Sequence, residues 1–71
     1  MDFENVEKTA HYRKEHESDV PWDTVLRMVF TTKRKRIGEH LYSFTTKEYY
    51  VLANLEGRTL KIVNAKRRKS Q

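Results

Sequence analysis

The sequence predicts an α+β fold in which two N-terminal helices pack on one face of a three- to four-stranded antiparallel sheet. Apolar residues recur at helical spacing before residue 32, and short β-like runs bounded by turn residues fill the rest of the chain. A length of 71 residues predicts a single domain, 1–71. The sequence has no cysteine, so we expect its small core to hold the fold without disulfides. Residues 1–8 are expected to be loose or to extend the first helix, and residues 69–71 to form a frayed tail.

Both helices are expected in the N-terminal half. The first is predicted over residues 9–17, where Thr9 can cap it, while Phe3, Val6 and Ala10 could extend its apolar face toward the N-terminus. The second is predicted over residues 21–31, with Pro21 in its first turn. Its apolar stripe, which a sheet must cover, consists of Trp22, Val25, Leu26, Val29 and Phe30.

The strands are expected after residue 32. The run KRKRIG, residues 33–38, is predicted to be an edge strand, because Lys and Arg discourage pairing with another chain. One hairpin is expected to turn at Thr46-Lys47. A second is expected at Glu56-Gly57, since glycine supplies the positive φ of a two-residue turn. Its register would pair Ala53 with Leu60 and Val51 with Ile62 on an apolar face.

The opposite side of this sheet, here called the mixed face, is expected to combine apolar and basic side chains. Because side chains alternate along a strand, the register predicts that Tyr50, Lys61 and Arg67 share this face. Lys66 and Arg68 would then point to the helix-covered side or its rim. Tyr50 could stack on a nucleobase or simply cover neighbouring apolar side chains of the sheet.

Charge is unevenly distributed along the chain. Residues 1–24 carry a net charge of −4 and residues 25–71 a net charge of +9. Clustered Lys and Arg neutralise phosphates, so this asymmetry predicts contact with nucleic acid. Two basic runs are expected to grip phosphate on either side of the mixed face: Lys33, Arg34, Lys35 and Arg36 in the first, and Lys66, Arg67, Arg68 and Lys69 in the second. The first run could instead complement the negative end of the second helix.

Several classes of protein do not fit the sequence. No apolar run approaches the ~20 residues that cross a bilayer, and the acidic start lacks the features of a signal peptide, so we expect no membrane contact and a cytoplasmic location. His11 and His16 are five residues apart, a spacing that does not place two ligands on one helix face. With His40 in another element, we expect no metal site. Two glycines cannot build a phosphate-binding loop, and no cofactor is predicted.

Over residues 9–68 the chain resembles the BrnT-like members of the RelE/ParE toxin superfamily and related small uncharacterised domains. His11 matches the histidine that opens their first helix, and Val25 with the apolar positions after it matches their second helix. Ile62-Val63-Asn64-Ala65, followed by Arg67, matches their last strand. Lys66 stands where a tyrosine is usual, and EHESD replaces the Arg and Gly that often end the first helix.

The resemblance implies a RelE-like sheet that binds RNA and cleaves it without metal, and an antitoxin-like protein partner. Cleavage needs a proton acceptor, a proton donor and cations near the developing charge, roles for which His11, Lys61 and Arg67 are the candidates, with Tyr50 as an alternative donor. His11 could instead be an exposed or helix-packing residue, and Lys61 a solvated strand residue. Whether the chain is an enzyme stays open in the sequence. Three hypotheses follow: a toxin-like, metal-independent endoribonuclease, a non-catalytic RNA- or DNA-binding module, and a protein-interaction domain for an acidic partner.

Overall fold

The computed structural model describes residues 3–68, which form one five-stranded sheet and two helices. In chain order the elements are β1 (Asn5–Lys8), α1 (Ala10–Glu15), α2 (Trp22–Thr31), β2 (Arg34–Arg36), β3 (Leu41–Thr45), β4 (Tyr49–Glu56) and β5 (Thr59–Arg67). The strand order across the sheet is β1-β5-β4-β3-β2. β1 runs parallel to β5, and every other pair of neighbouring strands is antiparallel.

The predicted architecture, two helices on a three- to four-stranded antiparallel sheet, is therefore wrong. The α+β class and the two helices agree with the structure, but the sheet is mixed and strand residues outnumber helical ones. The difference arises at the N-terminus, where residues 5–8 form β1 and neither extend a helix nor lie loose. The expected frayed tail, residues 69–71, lies outside the described residues.

β1 was missed because its partner is remote in the sequence. Phe3, Val6 and Ala10 follow a helical spacing, yet Val6 pairs with Leu60 on β5. The backbone amides of Glu4 and Asn5 both donate to the carbonyl of Arg58, at 2.7 and 3.1 Å, which fixes the start of the strand. Local periodicity cannot reveal a parallel pairing of this kind, because the hydrogen bonds that define it come from β5.

The two helices lie close to their predicted positions. Thr9 caps α1 as expected, since its hydroxyl accepts a hydrogen bond from the Tyr12 amide at 3.2 Å and donates one to the Ile62 carbonyl of β5 at 2.7 Å. α2 begins at Trp22 with Pro21 as its N-cap residue, and it ends at Thr31 as predicted. Neither helix within residues 3–68 is long and apolar enough to cross a membrane.

The core lies between the helices and one face of the sheet. Val25 and Val29 of the predicted stripe are buried, whereas Phe30 is 54% exposed and Met28 is buried instead. Tyr12 is fully buried and donates a hydrogen bond to the Val20 carbonyl at 2.5 Å, which joins α1 to the residues before α2. The buried apolar residues are Phe3, Tyr12, Val20, Val25, Met28, Val29, Phe44, Val51, Ala53, Leu60, Ile62 and Ala65.

Both hairpins turn one residue later than predicted. In the second hairpin Glu56 pairs with Thr59, so the loop is Gly57-Arg58, and Gly57 has φ +61° at its first position. This is where a type II′ turn requires glycine, because only its first central residue needs positive φ. The first hairpin loops through Lys47-Glu48, between Thr46 and Tyr49.

A β-bulge at Val63 changes the side to which the end of β5 points. Ala53 pairs with Ile62 but Leu52 pairs with Asn64, so Val63 is the extra residue. Simple alternation would send Lys66 against the helices, whereas the bulge buries Ala65 completely and turns Lys66 to the mixed face. The cost of burying an ammonium group accounts for this arrangement. The prediction that Lys61 and Arg67 share one face is therefore wrong.

Candidate nucleic-acid interface

The mixed face carries an aromatic ring beside one lysine, and it carries a second lysine on the edge strand. Tyr50 pairs with Lys66, whose Nζ lies 5.6 Å from the centroid of the Tyr50 ring. On the other side, the edge strand β2 contributes Lys35, which is in register with Ser43 and thus points to the mixed face. Leu52 lies between these two cations, in register with Ser43 and Asn64. The result is a half-exposed platform with positive charge on both sides.

The second basic run divides between the two faces of the sheet. Arg67 pairs with Tyr49 on the helix-covered side, and its guanidinium lies 6.0 Å from that ring. Hydrogen bonding to the Tyr49 side chain, more than the nearby charges, raises the pKa of Arg67 above its ordinary value, so the group stays cationic. Arg68 donates from Nη1 to the Thr46 carbonyl at 2.7 Å and from its amide to the Glu48 carbonyl at 2.7 Å. Arg68 thus fastens the β3–β4 turn, while Lys69 lies outside the described residues.

The first basic run forms the predicted edge strand. Arg34 lies over the ring of Tyr42, 5.2 Å from its centroid. Arg36 donates to the carbonyls of Gly38 at 3.0 Å and Glu39 at 3.2 Å, so it stabilises the connection to β3. Within residues 3–68, the side chains of Lys33 and Lys35 make no hydrogen bond and no ion pair. These two lysines are therefore available to an external anion.

Both runs meet at one end of the sheet. β3 and β5 end there while β2 and β4 begin there, because neighbouring strands in this part of the sheet are antiparallel. We call this region the basic end; its cations are Lys33, Arg34, Lys47, Lys66, Arg67 and Arg68. Three strand spacings separate β2 from β5, roughly 14 Å. Of the paired residues in the two runs, only Lys35 and Lys66 point to the mixed face, since Arg34, Arg36 and Arg67 pair with residues of the helix-covered side. The expectation that both runs border the mixed face therefore holds only for these two lysines.

The three candidate catalytic residues do not converge. His11 is exposed on α1, on the helix-covered side of the sheet. Lys61 is on the mixed face, where its Nζ lies 3.5 Å from the Glu56 carboxylate. Arg67 is six residues further along β5, roughly 20 Å away, and points to the other face. No single phosphate can contact all three side chains.

His11 and His16 lie together despite their spacing. Their Nε2 atoms are 3.0 Å apart, since α1 ends at Glu15 and His16 leaves the helical conformation with φ −128°. The expectation that their five-residue spacing would keep the two imidazole rings apart is therefore wrong. Among residues 3–68, no group of three His, Cys, Asp or Glu side chains is placed to hold a metal ion.

Three residues near the basic end were not singled out from the sequence: Arg27, Lys47 and Tyr49. They line a groove between α2 and the β3–β4 turn. The dipeptide Tyr49-Tyr50 indicated an aromatic ring on the helix-covered side, because adjacent strand residues point to opposite faces of a sheet. Lys47 was predicted as a turn residue but not as part of a binding site.

Comparison with protein-family models, curated proteins and solved structures finds no significant match to this chain. The resemblance to BrnT-like and RelE/ParE toxins, and the antitoxin-like partner that it implies, therefore stay predictions.

Proposed function

We propose that the chain binds single-stranded nucleic acid, with RNA as the expected ligand, through the mixed face beside the basic end. The observation that carries this proposal is the bulge at Val63, which turns Lys66 to the side of Tyr50. An aromatic ring with cations nearby is the arrangement that single-strand binders use, since bases stack on the ring and phosphates contact the cations. Because these groups do not read base edges, the binding is expected to be tolerant of sequence.

Binding without cleavage is the form of this function that the geometry supports best. Cleavage would require an acid, a base and a cation around one phosphate, and His11, Lys61 and Arg67 lie too far apart for that. Lys61 is also paired with Glu56, which lowers its value as a phosphate ligand. The ribonuclease hypothesis is therefore tested beside RNA binding, by looking for cleavage products.

The test is a fluorescence anisotropy titration of a labelled RNA of about twelve nucleotides with the full chain. With three or four phosphate contacts, the affinity should fall about 20- to 50-fold between about 50 and about 200 mM salt, because each contact adds about 0.7 to the salt slope. A DNA strand of the same sequence and an RNA duplex are the comparison ligands. Absent or salt-independent binding would contradict the proposal and favour an acidic protein partner.

Two variants locate the site. Lys66→Gln should weaken RNA binding and reduce the salt slope by about 0.7, while Tyr50→Leu should weaken binding with the slope unchanged. The matched control is Lys14→Gln on the exposed surface of α1, which removes the same charge away from the mixed face. Electrophoresis of the same RNA after incubation with a chelator tests cleavage; products would show that the catalytic hypothesis was rejected wrongly.

A further inference from the structure

A second feature of the basic end is the groove between α2 and the β3–β4 turn, named here the helix–turn groove. Its volume is about 420 Å³, within the range of small-ligand sites. Arg27 and Thr24 of α2 and Thr32 just beyond it form one wall, and Lys47 and Tyr49 of the turn form the other. Buried Met28 also lines the groove. It therefore combines an aromatic surface, two cations and hydroxyl donors.

Four polar side chains of the groove have no partner in the part of the chain that the structure describes. Within residues 3–68, the side chains of Arg27, Lys47, Thr24 and Thr32 make no hydrogen bond and no ion pair. The other two hydroxyls are occupied: Thr31 donates to the Arg27 carbonyl at 2.6 Å, and the hydroxyl of Thr46 accepts from the Tyr49 amide at 3.0 Å. The groove thus contains four polar side chains that only solvent or a ligand can satisfy.

The charge around the groove favours an anion. Arg67 lies against Tyr49, and Arg68 holds the carbonyl of Thr46, so two further cations border the turn. Glu48 is the one acidic side chain among the described residues of the lining, and it lies near Arg67, whose positive charge it partly offsets. The balance is positive, and the donors outnumber the acceptors.

We propose that the helix–turn groove holds one nucleotide of the bound strand, with its phosphate between Arg27 and Lys47 and its base against Tyr49. This inference rests on the proposed function and extends it. Tyr49 and Tyr50 are consecutive and point to opposite faces, so a strand that lies on Tyr50 reaches the groove by passing around the start of β4. The protein then contacts its ligand on two sides of the sheet end.

The experiment uses the full chain labelled with ¹⁵N, with adenosine monophosphate as the probe and adenosine as the comparison compound. The nucleotide should shift the amide signals of both walls of the groove, residues 24–32 and 46–49, and adenosine should bind about tenfold more weakly because it lacks the phosphate. Arg27→Gln should weaken both nucleotide binding and RNA binding about fivefold, the equivalent of one partly exposed charge contact. Its matched control is Arg13→Gln on α1, for which we expect less than about a twofold change.

The outcomes separate the two proposals. If the wild-type chain binds RNA but the nucleotide leaves the groove signals unmoved, and Arg27→Gln binds RNA as tightly as Arg13→Gln does, the groove assignment is wrong and the mixed-face proposal stands. If the wild-type chain binds no RNA, both proposals are wrong. Equal shifts from adenosine and its monophosphate would also overturn the inference, because the phosphate would then contribute nothing.

Discussion

Replacing Tyr12 with phenylalanine should destabilise the protein at neutral pH and alter how its stability depends on alkaline pH. The Tyr12 side chain is fully buried, and its hydroxyl donates to the Val20 carbonyl at 2.5 Å. Removing that donor leaves a carbonyl without its partner beneath α1, which costs about 1–3 kcal/mol of unfolding free energy. The ring is retained, so little packing is lost.

The pH dependence of the unfolding free energy tests the role of Tyr12 more specifically. Burial, with a smaller contribution from Glu17, raises the pKa of Tyr12 from 10.0 to about 12. Between these values the folded state holds a proton that the unfolded state releases, so the contribution of Tyr12 is complete below pH 10 and is lost as the pH rises through 12. The stability advantage of the wild-type chain over the variant should therefore shrink by about 1 kcal/mol by pH 11.

Urea unfolding measures both effects, with Trp22 fluorescence as the signal. The Trp22 ring centroid lies 5.7 Å from that of Tyr12, so the indole reports on this part of the core. Subtracting the two unfolding free energies at each pH removes the contribution of other lysines and tyrosines, which both chains share. An advantage that is equal at pH 8 and pH 11 would refute the assignment of a buried, neutral hydroxyl, and no advantage at pH 8 would refute the role of the hydrogen bond.

Three further substitutions test the sheet. Gly57→Ala should lower the urea midpoint by the equivalent of about 1–2 kcal/mol, because φ is +61° there; a clash is not the cause, since a Cβ would meet no atom within 4 Å. Gly57→Asn should cost less, because asparagine adopts positive φ more readily than alanine does. Ala65→Leu should lower the free energy of unfolding by about 1–3 kcal/mol, because the larger side chain overpacks a fully buried site. Lys66→Leu should change the free energy of unfolding little; a large loss for Lys66→Leu and none for Ala65→Leu would contradict the bulge at Val63. Lys61→Ala should leave RNA affinity within about twofold, since its ammonium already neighbours Glu56; a larger loss in anisotropy titrations would return Lys61 to the interface.

Local patterns were enough to predict the helices and the edge strand. Thr9 and Pro21 marked the helix starts, and the run KRKRIG marked β2, because capping and edge protection depend on residues close together in the chain. β1 required knowledge of β5, which periodicity does not supply. The second turn was displaced by one residue because the pattern does not reveal which loop position Gly57 occupies, and the first turn has no glycine to mark its position.

The faces of the candidate site were predicted only as far as the bulge. Alternation assigned Lys61 and Tyr50 to the correct face of the sheet. It failed after Val63, where one extra residue changes the face to which every later side chain of β5 points. The sequence contained a usable warning, since strict alternation would have buried Asn64 and Lys66 and exposed Ala65. The convergence of the two basic runs at one end followed from strand order, which only the structure provides.

The parallel pairing of β1 with β5 also bears on the order in which the sheet assembles. Each hairpin closes through a two-residue loop, whereas β1 meets β5 across a separation of 54 residues, as in the pair Val6 and Leu60 (60 − 6). Loop closure entropy rises by about 0.6 kcal/mol per doubling, so joining β1 costs roughly 3 kcal/mol more than closing a hairpin. The meander of β3, β4 and β5 can therefore form first, with the edge of β5 left open until the N-terminal residues arrive. During that interval the chain is most exposed to pairing with another molecule, and β1 is the segment that ends this exposure.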